Sequence, residues 1–402
     1  MIESFEGAIA TFIVLGTFAL LFVRRLGRYP LSRSITAATG AVALIILGIV
    51  TPQRAIEAMS VQTLLLLFGM LVHVVALARS GFYEWAATKL VEMAETPRRL
   101  TLGALLLSAV LSALALNDAT VLLLTPVLVV AADEGGVDPV PSILAVIFGA
   151  NIGSVATPVG NPQNAYILAA SDLTTAEFVA TLAPIAAICL CVAALVLLLI
   201  TPRSGTLVIP EPLDFDRAWA TASSLFIIIT FLLLLVFPEV GAGTIAATLA
   251  ILHLAWLQGF RRVAGDDIFS DVDWSILVLF AGLFALAAGL DDTALLATVE
   301  AVGGGLPLAV AAFGLSNLVS NVPAVVLLAA GIPEAATGDW LLLAAVSTLA
   351  GNATPIASAA TLIALEAASD RQVHVPLRTL LVLGIPLSVI TSIIAIGLLM
   401  MI

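Results

Sequence analysis

Charged side chains are scarce in this chain: Asp, Glu, Lys and Arg make up 10% of its 402 residues, and lysine occurs once, as Lys89. A composition 61% hydrophobic, with a mean hydropathy of +1.18, excludes an ordinary soluble globule and requires an integral membrane protein. Enzyme signatures are missing as well. The chain contains no GxxxxGK, no HExxH, no CxxC and no carboxylate pair at enzyme spacing, so an ATPase, a metallopeptidase and a hydrolase find no support, and no cofactor is implied. It has no basic surface for nucleic acid. Cys189 and Cys191 lie two residues apart inside an apolar run, on different faces of a helix, and define neither a metal nor a redox site. Residues 1–8 hold two Glu and no Lys or Arg, so the positive start of a cleaved signal peptide is lacking.

What is present is a series of long apolar runs. Those at about 6–23, 35–50, 61–78, 176–201, 219–237, 240–258, 273–290 and 377–400 are near the length that crosses a bilayer. Segments 142–171 and 340–369 are two further spans, each interrupted by a Thr-Pro pair, at Thr157-Pro158 and Thr354-Pro355. Proline removes a donor and opposes helix continuation, so both breaks leave backbone groups without intrahelical partners, which must be enclosed in protein or line a watery cavity. Segments 101–131 and 305–332 carry polar residues near their middles, Asn117-Asp118 and Ser320-Asn321-Val322-Pro323. Each is predicted to be a helical hairpin that leaves by the side it entered, with the polar residues at a buried tip.

Charge placement arbitrates. With ten crossings, two hairpins and the N-terminus outside, fourteen of the fifteen basic residues fall inside and only Arg54 falls outside, in agreement with the positive-inside bias. In that count Arg24, Arg25, Arg28 and Arg33 belong to the first inner loop. Both termini are then expected outside, on a multi-pass protein of the cytoplasmic membrane. The halves repeat: 60–68 corresponds to 272–280, Asn117 to Asn321 at an offset of 204, and Ala156-Thr157-Pro158-Val159 to Ala353-Thr354-Pro355-Ile356 at 197. Five crossings separate the hairpins, so the second copy is upside down. The expected fold is an all-α polytopic membrane protein with inverted repeats, about ten transmembrane helices (two of them broken) and two re-entrant hairpins. Its expected divisions are an N-terminal helix and loop over 1–33, a first repeat over 34–202 (scaffold 34–99, hairpin and broken helix 100–202), a linking loop and helix over 203–239, and a second repeat over 240–402 (scaffold 240–300, hairpin and broken helix 301–402).

Two broken helices in corresponding halves point to a midplane site in a secondary transporter. Asn117, Asp118 and Thr120 form the first tip. Asp118 is its one carboxylate, and a carboxylate inside the membrane is a functional candidate because burying an unused charge is expensive. It suits sodium, which takes carboxylate, hydroxyl and carbonyl oxygens, or a proton; alternatively it caps the returning half-helix 119–131. Ser316, Asn317, Ser320 and Asn321 form the matching cluster, with Pro323 in the first turn of the returning helix. Thr157, Asn161, Gln163 and Asn164 surround the first break, where Gly153 and Gly160 permit close backbone approach and Pro162 follows. Asn352, Thr354, Ser358 and Thr361 surround the second. With Pro158 and Pro355 as the structural residues of the breaks, the half-helix N-termini can hold an oxyanion without Arg or Lys, and no Arg or Lys is expected at midplane depth. A highly charged organic anion is therefore harder to hold than a small ion. His73 is read as an isolated packed histidine, and His253 and His374 as residues near helix ends.

NDATVLLLTP at 117–126, NIGSVATPVGNPQN at 151–164, SNLVSNVPAVVLL at 316–328 and GNATPI at 351–356 resemble the ion transporter superfamily, nearer its arsenite-efflux and sodium/proton antiporter branch than its dicarboxylate/sodium symporters. The resemblance covers nearly the whole chain. It implies a two-domain, elevator-type transporter, commonly a homodimer, in which a mobile part slides against a scaffold; an arsenite-efflux type would in addition pair with a soluble ATPase. It implies substrate and sodium contacts at Asn117, Asp118, Thr120, Thr157, Gly160, Asn161, Ser320, Asn321, Pro323, Asn352 and Thr354. Where the symporters carry Ser-Asn-Thr at both tips, this chain reads Leu116-Asn117-Asp118 and Ser320-Asn321-Val322, which points away from a di- or tricarboxylate.

Overall fold

The computed structural model describes residues 5–401 other than 24, 27, 28, 211–213, 262 and 292. Arg24, Arg28, Arg262 and Asp292 lie outside the described residues, and Arg25 is described by its backbone alone. The described α-helices fall into two runs of ten. The first is α1 (Phe5–Phe22), α2 (Arg33–Ile46), α3 (Pro52–Glu57), α4 (Val61–Arg79), α5 (Phe82–Ala94), α6 (Pro97–Ala115), α7 (Asn117–Asp133), α8 (Val140–Val155), α9 (Pro162–Ala170) and α10 (Thr175–Ile200). The second is α11 (Arg217–Val236), α12 (Ala242–Trp256), α13 (Gly265–Asp271), α14 (Trp274–Ala288), α15 (Ala294–Glu300), α16 (Leu306–Val319), α17 (Asn321–Ala329), α18 (Thr337–Ala350), α19 (Ala359–Asp370) and α20 (Leu377–Leu399). Among the described residues the one strand pairing joins Arg25–Leu26 to Tyr29–Pro30.

Seven described helices are long and apolar enough to cross a bilayer, or eight when the bent pair α13 and α14 counts as one span. That tally includes α6, an arm of the first hairpin, and leaves out the shorter α2 and the two broken spans α8/α9 and α18/α19. Exchanging the one for the three gives ten crossings.

Hydrogen bonds at their mouths hold both hairpins as re-entrant. At the mouth of the first, Arg98 on α6 donates to the Leu198 and Thr201 carbonyls, while Val208 N–H donates to the Ala131 carbonyl on α7. Both arms thus end on the same segment. At the mouth of the second, Gly305 N–H donates to Asp339 before α16, and Trp340 Nε1 donates to the Pro333 carbonyl after α17; both partners sit in the first turn of α18.

The tips turn tightly. Leu116 (φ 59°) and Ser320 (φ 81°) occupy the left-handed region, which L-residues enter only when the surroundings hold them there. Here the surroundings are explicit. Asn117 N–H donates to the Gly160 carbonyl at 2.9 Å and Asn321 N–H donates to the Ala357 carbonyl at 3.0 Å, so each tip is tied to the break of its own half. α7 begins at Asn117, and its Leu116 cap makes no side-chain bond. Asp118 therefore does not cap a helix starting at 119; it sits inside the first turn, where the helix dipole favours its charge. Likewise α17 begins at Asn321, with Ser320 as its cap residue.

The halves interlock, α4 packing along α12 and α2 along α14. His73, expected to be isolated, is paired: its Nδ1 lies 3.0 Å from His253 Nδ1, its Nε2 3.1 Å from Thr230 Oγ1, and His253 Nε2 2.9 Å from Ser223 Oγ. Thr230 donates to the Phe226 carbonyl, so its oxygen accepts from His73, His73 Nδ1 accepts from His253, and His253 Nε2 accepts from Ser223. Two neutral rings complete the string. It joins α4, α11 and α12 with every buried polar atom in it partnered.

Candidate functional site

The two breaks meet at the centre. Asn151 on α8 reaches into the second half: its Nδ2 donates to Asn352 Oδ1 at 3.0 Å and to Thr361 Oγ1 at 3.3 Å, and its Oδ1 accepts from Ser358 Oγ at 2.9 Å. The counterpart of Asn151 at the offset of 197 is Thr348 on α18, which reaches into the first half, accepting from Asn161 Nδ2 at 3.2 Å and donating to Asn164 Oδ1 at 3.4 Å. Asn161 and Asn164 are the counterparts of Ser358 and Thr361, so one polar clasp is built twice about a pseudo-twofold axis. Asn161 also caps α9 by accepting from Asn164 N–H at 2.8 Å, with Pro162 in the first turn where its missing N–H costs nothing. Each break is further tied to its hairpin: Thr157 donates to the Ala113 carbonyl at 2.5 Å, and Thr354 donates to Asn317 Oδ1 at 2.9 Å. Gly160 has no room for a side chain, since a Cβ there would sit 2.7 Å from the Ser154 backbone.

Between the tips lies a central cavity of about 70 Å³, lined by Asn117, Asp118, Pro162, Gln163, Ser320, Asn321, Pro323 and Ser358 together with Arg33, Leu279 and Phe280. A wider vestibule of about 540 Å³ continues from it, lined by Arg33, Asp118, Asp273, Ser275 and Glu366 among others. A third cavity, between Arg79, Asp271 and the first tip, also contains Asp118. Asp118 is the one charged residue common to all three, and its charged neighbours are Asp273 and Arg33.

The Oδ1 atoms of Asn117 and Asn321 are buried and have no hydrogen-bond partner, although their residues are only 4% and 5% exposed. Leaving such an acceptor unsatisfied costs about 1–3 kcal/mol. Both residues line the central cavity, so a cation or a hydroxyl placed there offsets that cost. No three His, Cys, Asp or Glu side chains among the described residues converge as metal ligands; a cation would rely on Asp118 and these neutral oxygens.

Of the residues singled out in the sequence, Asn117, Asp118, Pro162, Gln163, Ser320, Asn321, Pro323 and Ser358 line the cavity. Thr120, Thr157, Gly160, Asn161, Asn352 and Thr354 do not; they frame it. Thr120 donates back to the Leu116 carbonyl, and Asn352 is held by Asn151. The sequence reading missed Arg33, placed in an inner loop and found lining the central cavity with Nη2 3.4 Å from the Ile356 carbonyl. It corrects the expectation that the site has no cationic side chain. Asp273, the N-cap of α14, was missed as well. Both stand at the start of a helix, Arg33 at the first residue of α2 and Asp273 at the cap of α14, where a charge reads as an ordinary loop or cap residue.

Inverted repeats, crossed hairpins and broken helices closing on a carboxylate define a secondary transporter. The citrate-transporter family, CitMHS, matches residues 18–350, and the chain belongs to it. An uncharacterized transporter of Mycobacterium tuberculosis (strain CDC 1551 / Oshkosh) is 29% identical over 336 residues, covering 76% of this chain and 77% of the relative. The silicon efflux transporter LSI3 of Oryza sativa subsp. japonica is 26% identical over 416 residues, covering 84% and 86%. The crystal structure of the YdaH transporter of Alcanivorax borkumensis, described as having an unusual topology, superposes with a TM-score of 0.53 at 16% identity over 98% of this chain and 97% of its own. That likeness concerns the fold.

Proposed function

We propose that the protein is an ion-coupled secondary transporter that moves a small hydroxylated oxoacid, of the arsenite or silicate kind, by alternating access across the cytoplasmic membrane. The observation that carries this is Asp118, the charged residue at which the central cavity, the vestibule and the side cavity meet. A proton or sodium ion taken up there neutralises a carboxylate facing Asp273 and leaves the Arg33 charge for the cargo. A small oxoacid matches the lining: its oxygens accept from Arg33 while its hydroxyls donate to the orphan oxygens of Asn117 and Asn321. The volume of about 70 Å³, with a single guanidinium, disfavours citrate, whose three carboxylates would need more room and more positive charge. The relative LSI3, named for silicon efflux, fits a small hydroxylated cargo.

The hairpins and broken helices form the moving part, and α2, α4, α12 and α14 belong to the scaffold. The positive-inside bias makes the face of Arg79, Asp271 and Glu366, toward which the vestibule opens, the cytoplasmic one. The orphan oxygens also favour a second reading, sodium/proton exchange, since a hard cation satisfies both. A reconstituted flux panel of arsenite, silicate, phosphate and citrate under imposed sodium and proton gradients separates the two. Asp118→Asn should reduce gradient-driven flux at least 100-fold while the protein stays folded. Full flux that still follows the gradient would remove Asp118 from the mechanism.

A further inference from the structure

Helices α9, α14 and α17 lead from the central cavity toward the opposite face. Pro162, Phe280 and Val322 line the central cavity at their near ends. One to two turns on, Ala169, Phe284 and Ala329 line a separate cavity of about 430 Å³ that also contains Arg54, Asp291 and Glu334. Three rings fill the gap. Tyr166 of α9 stands 5.4 Å from Phe284 and 6.3 Å from Phe280, centroid to centroid, and the two Phe rings are 5.7 Å apart. Phe280 belongs to the wall of the central cavity and Tyr166 and Phe284 to that of the far one, so the rings are their common wall.

Resting on the transporter reading, we propose that Tyr166, Phe280 and Phe284 are the gate that closes the site toward the face of Arg54, and that the cavity behind them is the second access route. An apolar plug of this kind blocks a hydrated solute because nothing in it replaces the lost water. The plug is made by two bodies: Tyr166 rides on a broken helix, and both Phe residues are on a scaffold helix, so relative sliding opens it without unfolding. The repeat supplies an internal control. The counterparts of Tyr166, Phe280 and Phe284 are Ile363, Phe68 and Val72, at the offsets of 197 and 212. On that open side no plug is assembled, because Ile363 lines the vestibule and Phe68 instead faces Phe269 and Trp274, each at 6.2 Å. One side has its three rings in contact, and on the other the matching Phe68 faces different rings while Ile363 lines the open vestibule, as alternating access requires.

The test needs no known cargo. With Cys189 and Cys191 replaced by Ala, Val322→Cys places a thiol in the central cavity, read by a membrane-impermeant maleimide applied to vesicles of either sidedness at low temperature. The reference protein should label from the face of Arg79 alone. Combining Tyr166→Ala with Phe284→Ala should raise labelling from the other face at least tenfold, and Tyr166→Phe, which keeps the ring, should leave it one-sided. If the double variant does not elute as a folded protein, Phe284→Ala alone serves. Labelling that stays one-sided in a folded, plug-deleted protein overturns the gate, as does two-sided labelling of the reference. A flux panel that shows no transport, combined with a positive labelling result, would instead sink the transporter reading and spare the gate.

Discussion

The two hairpin tips have the same backbone and different chemistry. Leu116-Asn117 and Ser320-Asn321 make the same left-handed turn, and each Asn donates its N–H to the neighbouring break and leaves its Oδ1 free toward one cavity. At the next residue the likeness ends, with Asp118 in the first tip and Val322 in the second. Asymmetry extends to the helices that begin beside the tips. Arg33 begins α2 where Ala242 begins α12, and Asp273 caps α14 where Ser60 caps α4. Three charged positions about the site therefore have neutral counterparts. Geometry is what the duplication kept, because a tip held by two elements cannot drift. Charge belongs to one half alone, so of the two tips only the first offers a carboxylate to the cavity.

The most severe test moves the carboxylate. Adding Val322→Asp to Asp118→Asn transfers it to the symmetric tip, which lines the central cavity but not the vestibule. Gradient-driven flux should remain at least 100-fold below the unmodified protein, since the new carboxylate lacks Asp273 and the open route. Recovery to within tenfold would mean that the halves are interchangeable and that the scaffold charges are incidental. A smaller effect sharpens the symmetric part. Asn117→Ala and Asn321→Ala each remove one orphan oxygen, so each should raise KM about tenfold, corresponding to about 1.4 kcal/mol. Initial rates over a substrate range check this, and KM values that differ by more than tenfold between the two variants would show that identical backbones hide unequal roles.

Much of this comparison is readable in the sequence. Thr157-Pro158 and Thr354-Pro355 mark the breaks because proline ends a helix wherever it falls, and Asn117 and Asn321 mark the tips because a polar pair in an apolar run has nowhere to go in lipid. Long-range pairing is not readable. Nothing local says that Asn151 spans to Asn352 or that His73 meets His253, 180 residues away. Those contacts depend on how the copies interlock. The part Arg33 plays in the cavity was missed for the opposite reason, since positive-inside counting rewards loop arginines and does not distinguish one that turns back into the site. Tyr166, Phe280 and Phe284 read as ordinary apolar residues until helix direction puts them between two cavities.

The mildest prediction concerns a contact that the repeat kept while inverting its charges. Arg79 at the end of α4 pairs with Asp271 of α13 at 2.6 Å, and Arg54 of α3 pairs with Asp291 just beyond α14 at 2.7 Å. Arg79 and Asp291 are counterparts at the offset of 212, so the same helix end bears a cation in one half and an anion in the other. Both pairs are well exposed, with side-chain exposures of 32% and 48% for the first and 55% and 51% for the second. At such exposure water screens most of the attraction, and a double-mutant cycle on Arg79 and Asp271 should return about 0.5 kcal/mol, falling further in high salt. If they act only as struts, reversing a pair, as Arg79→Asp with Asp271→Arg, should preserve that coupling within error. A coupling above about 2 kcal/mol, or flux lost on reversal while stability is kept, would show that the polarity matters and that the side cavity beside Asp271 reads the sign of what passes it.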